Sequence, residues 1–198
     1  LEVEPNNAFA NILLGNQQAL GKKYQNAERY YRKALRKEPK NEDALFGLGK
    51  MLYFQNKISE SKNSFEKLLS INPDNADALA CMGKLYAEDE NYLPASNYIK
   101  KAIALDDSRY EFYIDLGQYE RYQGHFKEAE AAWTKAIALD SSYFLAYAYR
   151  AGLYDEQNKF KEALEDYHKV VQTNPKYYFA YEEIGILEFH LGNWSGAR

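Results

Sequence analysis

The stretch Gly124-His-Phe-Lys-Glu-Ala-Glu-Ala-Ala-Trp-Thr-Lys-Ala-Ile-Ala-Leu-Asp140 determines the fold, because versions of it recur along the chain at a fixed period of about 34 residues. A later version begins at Asn158 and reads Asn-Lys-Phe-Lys-Glu-Ala-Leu-Glu, and an earlier one begins at Glu90 and reads Glu-Asn-Tyr-Leu-Pro-Ala-Ser-Asn. Repeats of this length are typical of proteins built from stacked copies of one small structural unit. The repeat therefore determines the architecture before any single residue is considered.

Each copy of the repeat reads as a pair of helices. In the quoted stretch, Phe126, Ala129 and Trp133 fall three or four residues apart, which places them on one face of an amphipathic helix. Residues 113–120 show the same spacing on a helix just upstream. Residues 123–125 between them form a turn short enough to make the two helices antiparallel neighbours. The repeating unit is therefore predicted to be a helical hairpin.

Counting in steps of this period divides the whole chain without an insertion or a deletion. We predict one all-α array over residues 1–198 whose parts are the tail of a preceding repeat at 1–7, full repeats at 8–41, 42–75, 76–109, 110–143 and 144–177, and a truncated sixth repeat at 178–198. Terminal repeats need a polar outer face, and neither end supplies a dedicated capping helix. The sequence therefore predicts self-association through exposed terminal repeats.

Composition and charge argue against several classes of function. The formal net charge of −4 and the dispersed lysines and arginines argue against a nucleic-acid partner, since phosphate binding needs a concentrated basic surface. No apolar run approaches the length of a membrane-spanning helix, so no membrane insertion is predicted for this segment. The histidines His125, His168 and His190 fall in different repeats and, with Cys81, have no spacing of paired metal ligands or of a catalytic triad. We predict no catalytic residue, no metal site and no cofactor.

Small residues form two columns that run through all repeats. In the first helix the column reads Gly15, Gly49, Gly83, Gly117, Ala151 and Gly185. In the second helix it reads Ala27, Ser61, Ala95, Ala129, Ala163 and Ala197. A glycine inside a helix costs about 1 kcal/mol relative to alanine, so the first column needs a compensating reason. Close approach of the two helices of each hairpin supplies it.

These columns, with an aromatic residue that opens most of the second helices and a proline that follows many of them, resemble the tetratricopeptide repeat (TPR) family over the whole chain. The resemblance implies a right-handed superhelix of helical hairpins, in which the first helices line a concave groove. It also implies a role in holding other proteins or extended peptides. The Lys and Asn clamp with which some members hold a chaperone tail is absent, because Ile12 and Asn16, Phe46 and Lys50, and Ile114 and Gln118 stand in its columns.

The resemblance places the binding residues on the first helix of each repeat, offset from its core face. The first two repeats then contribute a mainly apolar set consisting of Phe9, Ile12, Asn16, Leu20, Asp43, Phe46, Lys50, Tyr53 and Phe54, and the third repeat contributes Lys84. The fourth repeat contributes Glu111, Ile114, Asp115, Gln118, Arg121 and Tyr122. The last two repeats contribute Tyr149, Asp155, Glu156, Phe179, Glu182, Glu183, Ile186 and His190.

The charges at these positions are one-sided in the last three repeats. Only Arg121 faces the acids Glu111, Asp115, Asp155, Glu156, Glu182 and Glu183. The asymmetry predicts an extended ligand with apolar side chains at one end and Lys or Arg at the other, lying along the groove from Phe46, Tyr53 and Phe54 toward the acids. The alternative is that the aromatic residues pack between repeats and the acids only keep the surface solvated.

The sequence is thus interpreted as a non-enzymatic scaffold or adaptor that binds a protein or peptide. Two other classes remain open at this point. One is a regulatory or substrate-presenting arm of a larger enzyme or multiprotein machine, and the other is self-assembly through the terminal repeats.

Overall fold

The computed structural model describes residues 7–192, and all regular secondary structure in that part of the chain is helical. The helices are α1 (Ala8–Leu20), α2 (Tyr24–Lys37), α3 (Glu42–Phe54), α4 (Ile58–Ile71), α5 (Ala76–Glu88), α6 (Tyr92–Leu105), α7 (Tyr110–Tyr122), α8 (Phe126–Leu139), α9 (Phe144–Glu156), α10 (Phe160–Thr173) and α11 (Tyr178–His190). The odd-numbered helices are the first helices of the hairpins, and each pairs with the even-numbered helix that follows where that helix is described. The all-α fold class predicted from the sequence is confirmed.

Asparagine side chains fix where the early first helices begin. The side-chain oxygens of Asn7, Asn41 and Asn75 accept hydrogen bonds from the backbone N–H groups of Phe9, Ala44 and Ala78, respectively, at 2.8–3.0 Å. A capping asparagine satisfies a donor that the first turn of a helix leaves without a partner. In α7, α9 and α11 this position holds arginine or tyrosine, which makes no side-chain cap.

A single residue with left-handed backbone geometry reverses the chain inside each hairpin. In the fourth repeat that residue is Gly124, with φ of +77°. The equivalent residues are Lys22, Asn56, Glu90 and Asn158, with φ between 55° and 60°. Residues other than glycine adopt the left-handed backbone conformation only at a cost in free energy. The flanking helices must therefore hold the turn in place where the residue is not glycine.

Glycines of the first helices contact large side chains of the second helices directly. A Cβ placed on Gly117 would lie 2.3 Å from Nε1 of Trp133, and one placed on Gly49 would lie 2.7 Å from Cζ of Phe65. This confirms that the small column exists for close approach of the paired helices. At Gly185 no described atom lies within 4 Å of that position. The helix that the repeat predicts as its partner begins near Trp194, outside the described residues.

Clusters of polar side chains around Glu28 and Arg150 are among the contacts between neighbouring repeats. The carboxylate of Glu28 on α2 accepts hydrogen bonds from Arg32 Nε and Lys57 Nζ, both at 2.8 Å, and from Gln55 Nε2 at 2.9 Å. The guanidinium of Arg150 on α9 donates two hydrogen bonds to Asp166 on α10, at 2.7 and 2.8 Å, and a third to the Thr134 hydroxyl on α8 at 2.9 Å. The equivalent residues of the other repeats are apolar, namely Leu14, Leu48, Met82, Leu116 and Ile184, and the Arg150 contacts explain why an arginine stands in this column.

The helices divide into two compact units, one ending at Leu105 and the other beginning at Asp106. The N-terminal unit contains α1–α6, and its largest fully buried side chains include Leu52, Phe65 and Met82. The C-terminal unit contains α7–α11 and is packed around Trp133 and Leu187. The single array over residues 1–198 stays a prediction, because the two halves are separate compact units.

Two sequence predictions fall on the ends of the chain. Most of the predicted tail at 1–7 and the truncated second helix from Trp194 lie outside the described residues. Within residues 7–192, no helix has the length and apolar character needed to cross a membrane.

Candidate functional site

The first helices of the C-terminal unit lie side by side and form one face. Arg121 on α7 is paired with Glu156 on α9, with Nε and Oε2 3.4 Å apart. Asp155, also on α9, lies close enough to Glu183 on α11 to raise the pKa of that carboxyl group. Predicted site residues from three different repeats are therefore brought together on this face.

We call the part of this face formed by Asp155, Glu182 and Glu183 the acidic face. Glu183 is half-buried, and this burial raises the pKa of its carboxyl group, which the charges of Asp155 and Glu182 raise further. Beneath them, burial raises the pKa of the Tyr167 hydroxyl, and the charges of Glu183 and Asp155 add to that shift. Like charges thus repel one another at this face.

None of the three carboxylates of the acidic face has an ion pair with another residue in the range 7–192. Burial of charge without a cation is unfavourable unless something else compensates it. The acidic face therefore carries an electrostatic cost that a cationic partner would relieve.

The sequence count of six acids against one arginine overstated the charge imbalance elsewhere on the face. Glu156 is paired with Arg121, and Glu111 lies 3.4 Å from Nε of Arg109. Arg109 stands just before α7, at a position that was not counted with the first helix. The uncompensated charge is consequently concentrated at Asp155, Glu182 and Glu183.

A row of aromatic rings follows the N-terminal ends of the same helices, and all of its members except Phe179 were missed in the sequence. The ring centroids of Tyr110 and Tyr143 are 4.9 Å apart, and those of Phe144 and Tyr177 are 5.1 Å apart. Tyr143 and Phe144 are 6.4 Å apart, and Phe179 continues the row 6.1 Å from Tyr177. Phe179 is half exposed and precedes the two glutamates of α11 by three and four residues, so it lies on their side of the helix.

Two predicted site residues are buried and do not contribute to a binding surface. Ile12 is 6% exposed and packs in the core around Tyr31, while Ile114 is 8% exposed and packs with Trp133. Each belongs to a core cluster that contains residues of its own hairpin and of the next repeat. Several other predicted residues are accessible, namely Phe9, Asn16, Lys50, Lys84, Tyr122, Phe179, Glu182, Ile186 and His190.

In the N-terminal unit the predicted aromatic residues are largely engaged with neighbours. Phe54 is half exposed but stacks on Tyr24 of the preceding repeat, with centroids 5.0 Å apart. The hydroxyl of Tyr53 donates a hydrogen bond to Glu88 of the following repeat at 2.7 Å. These contacts favour the alternative stated above, in which the aromatic residues pack between repeats instead of binding a ligand.

Three further predicted residues of the N-terminal unit also have partners. Phe46 is partly buried against Phe65, with centroids 5.8 Å apart, and the ammonium of Lys50 lies 5.5 Å from the Phe46 ring centroid. The side-chain oxygen of Asn16 accepts a hydrogen bond from the Tyr31 hydroxyl at 2.6 Å. The ligand path predicted from Phe46 toward the acids stays an expectation from the sequence.

Metal-ligating and remaining polar residues add nothing to this picture. No group of three or more His, Cys, Asp or Glu within residues 7–192 is arranged to hold a metal ion. Tyr149 is partly buried with its ring centroid 5.9 Å from that of Trp133, and burial raises the pKa of its hydroxyl. His190 stacks on Phe160, with centroids 5.1 Å apart.

The fold is shared with many solved structures. The structure of pilF from Pseudomonas aeruginosa is 19% identical, with a TM-score of 0.86 over 96% of this chain and 86% of that one. A tetratricopeptide repeat protein from Parabacteroides merdae is 24% identical, with a TM-score of 0.76 over 98% of this chain and 76% of that one. YrrB, described as a TPR protein with an unusual peptide-binding site, is 22% identical, with a TM-score of 0.73 over 89% of this chain and 91% of that one.

Sequence comparisons agree with the fold. No curated protein matches the chain significantly. Two sequence models described as tetratricopeptide repeat match residues 20–85 and 114–177, which together make up about two thirds of the chain. These matches fall in both compact units and include eight of the twelve residues in the two columns of small residues. The chain belongs to the tetratricopeptide repeat family.

Proposed function

We propose that the chain is a non-enzymatic scaffold that binds a basic protein segment on the acidic face of its C-terminal unit. The observation that carries the proposal is the crowding of Asp155, Glu182 and Glu183 without an ion pair among the described residues. Burial raises the pKa of Glu183, and the charges of Asp155 and Glu182 raise it further. Membership of a repeat family supports a binding role, as does the peptide-binding site described for YrrB.

Electrostatics specify what kind of segment fits. Lysine or arginine side chains of a partner would replace the repulsion between the carboxylates by attraction, and the field of the crowded acids would speed association. The exposed rings and aliphatic side chains of α11, such as Phe179 and Ile186, offer apolar contact beside the charges. We therefore propose an extended segment that carries basic residues with apolar residues next to them.

The burial of Glu183 distinguishes this face from an ordinary solvated surface. A fully hydrated glutamate gains little from a partner, because water already stabilises its charge. Glu183 is partly removed from water, and burial is the largest cause of its raised pKa. A bound cation therefore gains more here than at the exposed acids of the second helices.

Neutralising the acidic face tests the proposal. The variant Asp155→Asn/Glu182→Gln/Glu183→Gln removes the charges with little change in shape. A fluorescently labelled peptide of alternating lysine and leucine serves as the probe, and anisotropy measures its affinity. The matched control neutralises three exposed acids of the second helices in the same unit, namely Glu128, Glu162 and Glu165.

We expect the triple variant of the acidic face to lose about tenfold or more in affinity, while the control binds like the parent. The acidic-face variant should also unfold at a higher urea concentration than the parent, because the repulsion is gone. Equal losses of peptide affinity in the two variants would show that only the net charge of the protein matters. That result would refute the acidic face as the binding site.

A further inference from the structure

A second candidate site lies in the N-terminal unit, on the outer side of its second helices. A cleft of about 880 Å³ runs between α2 and α4, with side chains of α3 as its floor. Arg29, Arg32, Lys33 and Arg36 fall three or four residues apart and present one stripe of α2 to the cleft. Lys67 faces them from α4. All of these elements belong to one compact unit.

The cleft carries an excess of positive charge in a chain whose net charge is −4. Its single lining acid, Glu60, is occupied by Arg32, whose Nη2 lies 2.6 Å from Glu60 Oε2. Within residues 7–192, Arg29, Arg36 and Lys67 have no ion pair. Three cations thus line the same cleft without a counter-charge among the described residues.

Apolar side chains lie beneath these cations. Leu45, Leu48 and Leu52 of α3 line the bottom of the cleft, and Leu35 of α2 lines its side. The three α3 leucines are nearly buried, with exposed fractions of 6% or less, so only a side chain inserted between the two helices reaches them. Recessed apolar surface below a charged rim is the usual arrangement of a site that holds an amphipathic segment.

We propose that this cleft binds an acidic segment of a partner protein, with leucine-like side chains inserted between α2 and α4 and carboxylates placed on Arg29, Arg36 and Lys67. Charge complementarity selects an acidic partner, and the recessed leucines select a chain that projects apolar side chains. A lipid surface is disfavoured because the rim consists of polar residues and carries no exposed large apolar side chain for insertion. The site is independent of the acidic face proposed above, which is in the other unit.

The test uses a labelled peptide with glutamates on one helical face and leucines on the other. Two comparison peptides replace either all glutamates by glutamine or all leucines by serine. The cleft variant is Arg29→Glu/Arg36→Glu, and the control is Lys127→Glu/Lys161→Glu, which makes the same change in net charge at exposed lysines of the other unit. Circular dichroism establishes that each variant is folded.

We expect the parent to bind the glutamate–leucine peptide about tenfold or more tightly than either comparison peptide. The cleft variant should lose that preference, and the control should keep it. Equal losses in both variants would overturn the proposal, as would equal binding of the three peptides. Loss of binding to phosphatidylserine vesicles alone in the cleft variant would also overturn it, because the occupant would then be a membrane. So would loss of only a concentration-dependent dimer measured by sedimentation, because the occupant would then be a second copy of the chain.

Discussion

Replacing Gly117 by alanine adds one methyl group at the tightest contact between paired helices. The new Cβ would lie 2.3 Å from Nε1 and 2.6 Å from Cδ1 of Trp133. Real side chains do not approach so closely, so the indole ring or the α7 backbone must move. Trp133 is fully buried, and its Nε1–H donates a hydrogen bond to the carbonyl oxygen of Ile114 at 3.3 Å. Movement of the ring would therefore disturb both packing and that hydrogen bond.

The net effect of Gly117→Ala is a balance of three contributions. Alanine gains about 1 kcal/mol over glycine in the middle of a helix. Overpacking a well-packed core costs about 1–3 kcal/mol, and weakening the indole hydrogen bond costs about 1 kcal/mol more. We therefore expect the free energy of unfolding to fall by about 1–3 kcal/mol.

Gly152 on α9 provides the matched control, because it also lies inside a first helix of the C-terminal unit. The nearest atom to a methyl group added there is the Tyr167 hydroxyl oxygen at 3.8 Å, an ordinary van der Waals contact, so Gly152→Ala should gain the helical preference without the clash. We expect it to be more stable than the parent by about 0.5–1 kcal/mol. Urea unfolding followed by circular dichroism measures both changes. Tryptophan emission reports locally on the α7–α8 hairpin when it is recorded in a Trp194→Phe background, because Trp133 and Trp194 are the two tryptophans of the chain.

Opposite signs at the two glycines are the essential result. If Gly117→Ala unfolded at the same urea concentration as the parent or a higher one, with Trp133 emission unchanged, the close approach of the helices would not limit the size of the side chain at this position. The packing explanation for the small residues would then be wrong.

Three other changes test the rest of the packing. Burial alone would raise the pKa of Glu28, but its hydrogen bonds, of which that from Lys57 is the strongest, outweigh burial and lower the pKa to about 2. The ionised Glu28 therefore stabilises the fold above about pH 4.5, and this stabilisation is lost as the pH falls toward 2. Its partners are partly exposed, so Glu28→Gln should cost about 1–2 kcal/mol at neutral pH and flatten the dependence of urea midpoints on pH in that acidic range. Asp166→Ala leaves Arg150 without its carboxylate and should cost about 2–3 kcal/mol in the same melts, whereas an unchanged midpoint would show the pair to be dispensable. Ala129→Leu, at a fully buried position of the second small column, should cost about 1–3 kcal/mol, and a variant as stable as the parent would place that column outside the packing contacts.

The helices were predictable because the signal behind them is repeated. The fixed period gives six starting points from Ala8 to Tyr178, and the first helices begin at those residues. Gly117 could be assigned to close helix contact because the column is small in every repeat, although the sequence did not show that Trp133 is the group it contacts. The same residue type at equivalent positions of several repeats identifies a packing role more reliably than a single position does.

The candidate site was less predictable. The repeat period locates the helices, whereas the exposure of a side chain and its ion pairs depend on contacts that differ from one repeat to the next. Ile12 and Ile114 were assigned to the binding side of their helices but lie in the core, and an offset of one position turns a side chain by about 100° around a helix. Arg109 lies before its helix and was left out of the charge count, yet it is close to Glu111. Counting residues by helix position therefore overestimated the charge imbalance.

Apart from Phe179, the members of the aromatic row lie at positions that were not considered for binding, although the sequence carries a visible signal for them. Tyr143 and Tyr177 are one period apart, as are Tyr110 and Phe144, and each precedes or opens a first helix. The residues that precede the first helices of the first two repeats are asparagine caps instead of aromatic residues. A change of residue type within one column thus marks where the C-terminal unit differs from the N-terminal one.

The pKa of Glu183, measured by carboxyl carbon NMR in the free protein and in the presence of saturating lysine–leucine peptide, is the sharpest test of the proposed binding site. We predict a pKa above the ordinary glutamate value in the free protein, because of burial and the charges of Asp155 and Glu182, and a fall in that pKa when the basic peptide binds. An ordinary or lowered pKa in the free protein, or a raised pKa that the bound peptide leaves unchanged, would contradict the claim that the acidic face receives the basic segment.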